Sequence, residues 1–283
     1  MIAVTGANGQ LGRLVLKHLA GRLPGMVRAL VRTPARAADL ASDAVEIAEA
    51  DYDRPRTLVP ALAGVERLLL VSGSEIGRRV PQHAAVITAA KTAGVRFIAY
   101  TSLLNAPTST LALAREHVET EALLAGSGIA HALLRNGWYI ENYDATIASA
   151  LTHGAVVGAS GDGRISTAGR DDYAVAAATV LAGDDLSTRA LELAGDTAFS
   201  LADLAAELSR RTGRMIPFTN LAEADYAALL VSSGLPKPFA EILADSDRGA
   251  ARGDLFSDST TLSTLIGRPT KTLADHIAGT LSR

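Results

Sequence analysis

The sequence predicts an α/β protein, a doubly wound parallel sheet with a smaller, mostly helical C-terminal lobe. Three observations carry that expectation. Short apolar runs alternate with helical patterns through the first half of the 283 residues, the mark of right-handed βαβ units around a parallel sheet. The first run, Met1-Ile2-Ala3-Val4, leads directly into Thr5-Gly6-Ala7-Asn8-Gly9-Gln10-Leu11-Gly12, a strand, a glycine turn and a helix start. From Gly195 onward the texture changes to helical segments broken by glycine and proline.

Taken in order, strands are expected at 2–5, 27–31, 45–48, 67–71, 96–101 and 132–134, each a short apolar stretch between turn signals. Helices are expected between them, near 11–21, 33–40, 56–62, 81–93 and 111–125. The first shows Leu11, Leu14, Val15 and Leu19 on one face, the spacing of an amphipathic helix. Gly94 and Gly128 follow the last two, where a left-handed residue commonly ends a helix. A further helix at 171–181 precedes a strand at 190–193. Ser200-Leu201-Ala202-Asp203 reads as a helix start, with Ser200 as cap and Asp203 in the first turn, and that helix should stop at Gly213. The expected division is a nucleotide-binding domain over 1–150, with 168–196 returning to it, and a lobe over 197–283. The substrate site is expected between lobe and sheet, at the carboxyl ends of the strands.

Composition narrows the function classes. Hydrophobic residues make up 48%, charged residues 20%, and the net charge is −3. Without a basic excess, nucleic-acid binding by phosphate neutralisation is disfavoured. The chain has no cysteine, so disulfides, thiolate metal sites and cysteine nucleophiles are excluded. That fits a reducing cytoplasm, the expected location. A strand beginning at residue 2 leaves no room for a signal peptide, and the longest apolar runs are too short to span a membrane. No metal site is expected.

The glycine turn is a phosphate-binding corner. A helix N-terminus presents unpaired N–H groups and partial positive charge, and glycines let a pyrophosphate approach the backbone. A strand before and a helix after make the reading specific for a dinucleotide, in a Rossmann-type sheet. Arg32 lies about 20 positions past Gly12, where an acidic residue would mark NAD, and Arg36 stands one helical turn further on. A guanidinium suits a 2′-phosphate, so NADPH is the expected cofactor. Asp51-Tyr52 after the third strand is placed to bracket the adenine. Ser72-Gly73-Ser74 and Thr101-Ser102, after the fourth strand and at the end of the fifth, occupy equivalent places where small residues let the chain pass the cofactor.

The sequence resembles the atypical short-chain dehydrogenases of the NmrA-like branch, and within it the bacterial NAD(P)H:quinone oxidoreductases of type 2. The residues that carry the resemblance are Met1 to Gly6 with Gly9-Gln10-Leu11-Gly12, Ala50-Asp51-Tyr52, and Phe97 to Leu104. They continue through Leu134-Arg135-Asn136-Gly137-Trp138-Tyr139 with Glu141-Asn142-Tyr143, and Leu243-Ala244-Asp245-Ser246-Asp247. The resemblance covers essentially the whole chain. It implies a Rossmann domain, a smaller substrate lobe, NADPH preference and reduction of a small-molecule quinone. By the same resemblance Gly6, Ala7, Asn8, Gly9, Gln10 and Leu11 would hold the pyrophosphate, Arg32 the 2′-phosphate, and Ser72, Gly73 and Ser74 the middle of the cofactor. Asn136, Gly137, Trp138 and Tyr139 would sit by the nicotinamide, and Trp138, Tyr139 and Tyr143 would favour a planar substrate. Asn8 stands where relatives often carry Thr. A homodimer is left open.

One departure bears on mechanism. Typical dehydrogenases of the wider superfamily use Tyr-x-x-x-Lys after the fifth strand, whereas this chain places Leu113 and His117 there. Leu113 cannot exchange a proton. His117 can, as donor or as a positioning residue for the nicotinamide ribose, with His83 a weaker second candidate. A missing acid suits quinones, because hydride addition gives an aromatic hydroquinone anion with a phenol-like pKa of about 10 that water can protonate. Neither flavin nor metal is then required. Two other readings compete, reduction of another conjugated electrophile such as a triphenylmethane dye, and a non-enzymatic NADP(H)-sensing regulator.

Overall fold

Each parallel strand of the sheet starts where an apolar run leaves a turn and ends where small or polar residues begin. In the computed structural model, which describes residues 1–22 and 25–282, these strands are β1 (Ile2–Val4), β2 (Val27–Val31), β3 (Val45–Glu49), β4 (Arg67–Leu70), β5 (Phe97–Leu103), β6 (Ala130–Asn136) and, later, β8 (Arg189–Leu193). Their order is β3-β2-β1-β4-β5-β6-β8, with β3 through β6 paired parallel. In β4, Leu68, Leu69 and Leu70 are all fully buried. Successive side chains point to opposite faces, so both faces of the sheet are covered.

The covering helices are α1 (Gln10–Ala20), α2 (Leu58–Ala61), α3 (Arg79–Ala93), α4 (Ala114–Ser127) and, after α5 (Asp144–His153), α6 (Arg170–Ala182). On one face Leu58 and Leu62, Val86 and Ile87, and Leu124 pack with Leu30, Leu68, Leu70, Ile98 and Tyr100 from the strands. Two expected helices take tighter forms. Residues Pro34–Leu40 make a 3-10 helix, and 55–61 divides into a 3-10 turn and α2. Both begin at prolines whose preceding residues, Thr33 and Arg54, have non-helical backbone, as the ring of a following proline requires.

The chain divides into two compact units. The first contains Met1–Leu103, Arg115–Asn136 and Asp171–Leu191, and the second takes Leu104–Ala114, Gly137–Arg170 and the chain from Glu192 onward. This division differs from the expected first domain of 1–150. Residues 137–150 leave the sheet where β6 ends at Asn136, and Gly137 N–H donates to Leu193 O while Tyr139 bridges Ala168 within the second unit. Residues 104–114 also join it, tied by Thr110 to the Asp254 carboxylate.

The second unit is not purely helical. Besides α5, α7 (Leu201–Thr212), α8 (Glu223–Ser232), α9 (Lys237–Ala251), α10 (Thr261–Ile266) and α11 (Leu273–Leu281), it holds a parallel pair, β7 (Val156–Gly158) with β9 (Phe218–Asn220). Helix α7 begins in the expected capping box of Ser200 and Asp203 and ends at Gly213 with φ +69°. The last residue of the expected lobe, 283, lies outside the described residues.

Candidate active site

Strand order reverses at β1, with β2 on one side and β4 on the other. A crevice opens at such a point, beyond the carboxyl ends of the strands. A groove of about 440 Å³ lies there, lined by Gly6, Asn8 and Gly9 after β1, Val31 to Thr33 after β2, Ala50 to Asp53 after β3, and Val71 to Glu75 after β4. All of these belong to the first unit.

The glycine corner has the geometry an anion needs. Gly6 has φ +57°, a left-handed conformation costly for other residues. At Gly12 a β-carbon would stand 2.4 Å from Gly6 O and 2.8 Å from Ala7 Cα, so only glycine lets α1 approach the turn this closely. Helix α1 starts at Gly9 with no side-chain cap and no acid in its first turn. Its leading N–H groups and partial positive charge therefore face the groove end without a protein carboxylate. Within the turn, Gly6, Asn8 and Gly9 line the groove, whereas Ala7 and Leu11 are core and Gln10 is exposed. Asn8 is pinned by its amide to Arg36 O at 3.2 Å and by Arg13, whose guanidinium meets both the Asn8 side chain and Asp39.

The chain after β4 is held residue by residue. Val71 N–H donates to Thr5 Oγ1 at 2.9 Å, Ser72 N–H to Thr101 Oγ1 at 2.8 Å, and Gly73 N–H to His83 Nε2 at 3.0 Å. Arg79 Nε donates to Gly73 O at 2.9 Å, and its Nη1 pairs with Glu116 at 2.9 Å. Thr101, expected beside the cofactor, is instead buried beneath the loop and supports Ser72. His83 accepts at Nε2, so its proton sits on Nδ1, 3.0 Å from Thr120 Oγ1, which in turn donates to Glu116 O. Burial and the nearby Arg79 push His83 down to about 3, which keeps this neutral tautomer in place.

His117 takes a different place from the one expected. Its imidazole is buried in the first turn of α4 with Nδ1 2.8 Å from Tyr100 Oη, and it does not line the groove. Burial, then Arg79 and His83, push it down to about 3. Tyr143, expected to favour a planar substrate, does not line the groove either. It is buried in the second unit with its ring edge-on to Phe199 at 5.5 Å, and burial raises its phenol well above the usual range. Trp138 and Tyr139 are half-buried, with the Arg170 guanidinium 5.0 Å from the Tyr139 ring centroid. Asn136 is buried at the end of β6, in register with Leu103.

Around the outer groove, Arg32 meets Glu75 at 3.3 Å, Arg54 meets Asp51 at 2.9 Å and Arg78 meets Asp53 at 2.8 Å. Glu75, Asp53, Arg79, Gln82 and Glu116 were not singled out from the sequence. The signal available was position alone, since Glu75 stands two residues past Gly73. Among the described residues no cluster of His, Asp or Glu has metal-holding geometry, and no helix is long and apolar enough to cross a membrane.

Comparison with known proteins agrees with this geometry. The chain is 54% identical, over 98% of its own length and 98% of the relative's, to Quinone oxidoreductase 2 of Escherichia coli (strain K12). The crystal structure of the NADPH-dependent quinone oxidoreductase QOR2 from Escherichia coli, complexed with NADPH, superposes with a TM-score of 0.97 at 54% identity, covering 99% of this chain and 100% of that one. The Citrobacter sp. triphenylmethane reductase complexed with NADP(H) gives a TM-score of 0.94 at 34% identity, covering 99% and 100%. The profile of the NAD(P)H-binding family matches residues 6–183, from the glycine corner to just past α6, and the chain belongs to that family.

Proposed function

We propose that this protein is an NADPH-dependent quinone reductase in which hydride passes directly from cofactor to quinone. The observation that carries the reading is the open glycine corner beside Arg32, in a chain that matches a quinone oxidoreductase along its whole length. The residues present fit the cofactor. The uncapped start of α1 with Gly6, Asn8 and Gly9 would hold the pyrophosphate, and Arg32 with Arg36 the 2′-phosphate. Ser72 to Ser74 would pass over its middle, and Asn136 to Tyr139 would lie toward the nicotinamide end. When bound, NADPH supplies the hydride.

The chain's own part is to orient and to exclude water. Thr5, Thr101 and His83 fix the loop after β4, so its small residues keep one conformation. Trp138 and Tyr139 would present aromatic faces to a planar ring. His117 would act as a buried positioning residue through Tyr100, because burial holds its imidazole neutral, without the imidazolium proton a general acid gives up at neutral pH. The hydroquinone anion, phenol-like with a pKa of about 10, takes its proton from water. The absence of cysteine and the use of NADPH agree with a cytoplasmic setting.

The test is NADPH consumption by the purified protein with and without a simple benzoquinone. Catalytic, quinone-dependent turnover is expected. Stoichiometric binding without turnover would favour a regulatory role and overturn the reading. A second substrate class has a specific basis in the likeness to triphenylmethane reductase, and kcat/KM on such a dye against the benzoquinone separates the two.

A further inference from the structure

Three acids line the outer groove, and each has an arginine. Asp51 pairs with Arg54 at 2.9 Å and Asp53 with Arg78 at 2.8 Å, and neither arginine lines the groove. Glu75 differs. Its partner is Arg32, at 3.3 Å, and Arg32 does line the groove. One partner stands at the end of β2 and the other on the loop after β4, so the ion pair reaches between two walls. Glu75 is also held from behind. Its second oxygen accepts from Gln82 Nε2 at 3.2 Å, and the same amide reaches Asp53 at 3.2 Å. Gln82 is 6% exposed, so a buried amide fixes the direction in which this surface acid points.

We infer that Glu75 is a specificity-determining residue that competes with the 2′-phosphate of NADPH for Arg32. The inference rests on the cofactor reading above and deepens it. A phosphate offers a guanidinium two parallel charge-assisted bonds, whereas Glu75 offers one at 3.3 Å through a side chain 41% exposed. The exchange therefore favours the phosphate, but NADPH must first displace a carboxylate that is already oriented. A dinucleotide lacking the 2′-phosphate offers Arg32 only uncharged hydroxyls and leaves the pair intact. Glu75 thus weakens NADPH binding selectively and keeps the discrimination between the two dinucleotides below what Arg32 alone would give.

The test measures dissociation constants of NADPH and NADH, by titration of the full chain, for wild type, Glu75→Gln, Arg32→Ala and the double variant. Glutamine keeps an oxygen for Gln82 and removes the charge. Glu75→Gln is expected to tighten NADPH about three- to fivefold, the scale of an exposed ion pair, and to change NADH less than about 1.5-fold. In the Arg32→Ala background the gain should vanish, because competition needs the arginine. Equal tightening in both backgrounds would mean through-space repulsion and overturn the inference. So would an unchanged NADPH constant in Glu75→Gln alongside a clear loss in Arg32→Ala. If Arg32→Ala leaves the NADPH-to-NADH ratio as in wild type, the 2′-phosphate assignment itself fails, and the competition with it.

Discussion

The two units differ in the kind of titratable group that burial has trapped in each. In the first, the strained groups are bases. His83 and His117 both pack near Tyr100, with ring centroids 5.4 and 5.9 Å from it, and both are held near 3. In the second, the strained group is an acid. Asp247 accepts Ala159 N–H at 2.8 Å, and burial pushes it up to about 6. Acid therefore charges a buried group in one unit and relieves one in the other. The difference teaches that the loop after β4 depends on a neutral imidazole, so its support weakens on the acid side.

The largest expected effect is on acid stability of the first unit. An unfolded histidine titrates near 6.5 and a folded one here near 3, so the unfolded chain binds protons first as pH falls. Stability is intact above about 6.5 and is lost progressively down to about 3. At a pH two units below 6.5, each imidazole costs roughly 2–3 kcal/mol. Urea denaturation across this range, with hydrogen exchange to locate the loss, should show β4 to β6 weakening before the second unit. Uniform weakening of both would break the comparison.

Next in size is a split in affinity between ligands. Arg32→Glu should weaken NADPH by about 1.5–3 kcal/mol, the value of a hydrogen bond to a charged group, and spare NADH. Trp138→Ala should raise the quinone KM more than the NADPH KM. If either variant moves both ligands equally, the pairing of Arg32 with the 2′-phosphate, or of Trp138 with the quinone ring, loses its basis.

Asp247→Asn sharpens the same contrast from the other side. With a folded value of about 6 against 3.8, the folded chain holds the extra proton, and stability falls as pH rises from about 3.8 through 6. Above that window the asparagine variant, still able to accept from Ala159, should be more stable by about 2–3 kcal/mol. The gain should disappear near pH 4. The smallest effect is expected for His117→Gln. Quinone kcat should fall less than about tenfold and stay flat through pH 6.5, whereas loss of a true general acid costs 10²–10⁴-fold.

Much of the first unit was legible because its elements repeat one rule, apolar run then amphipathic helix. The strands expected at 27–31 and 45–48 stand as β2 and β3, the latter one residue longer, and α1 buries Leu11, Val15 and Leu19 as its spacing required. What the sequence hid were helix faces made of buried polar groups. Helix α3 turns Arg79, Gln82 and His83 inward, and α4 turns His117, Thr120 and Glu121 inward. A hydrophobic pattern cannot reveal a face whose buried residues are polar, so His117 seemed free to reach the cofactor. Tyr143 carried the complementary ambiguity, since an aromatic beside a strand end reads alike as core or as ligand platform, and its ring is buried against Phe199. The excursions at 104–114 and 137–150 carry no composition shift that marks a change of unit.

The path of the chain has a consequence for its birth. It changes unit after Leu103, Ala114, Asn136, Arg170 and Leu191. The glycine corner is made before the rest of the sheet, yet that sheet waits for β8, which starts 53 residues after β6 ends at Asn136. A nascent chain stopped earlier exposes the flank of β6, an unpaired edge of the kind that recruits foreign strands. A contiguous fragment of either unit will therefore lack strands or helices it needs, and dissection of this protein calls for rearranged chains in place of truncated ones.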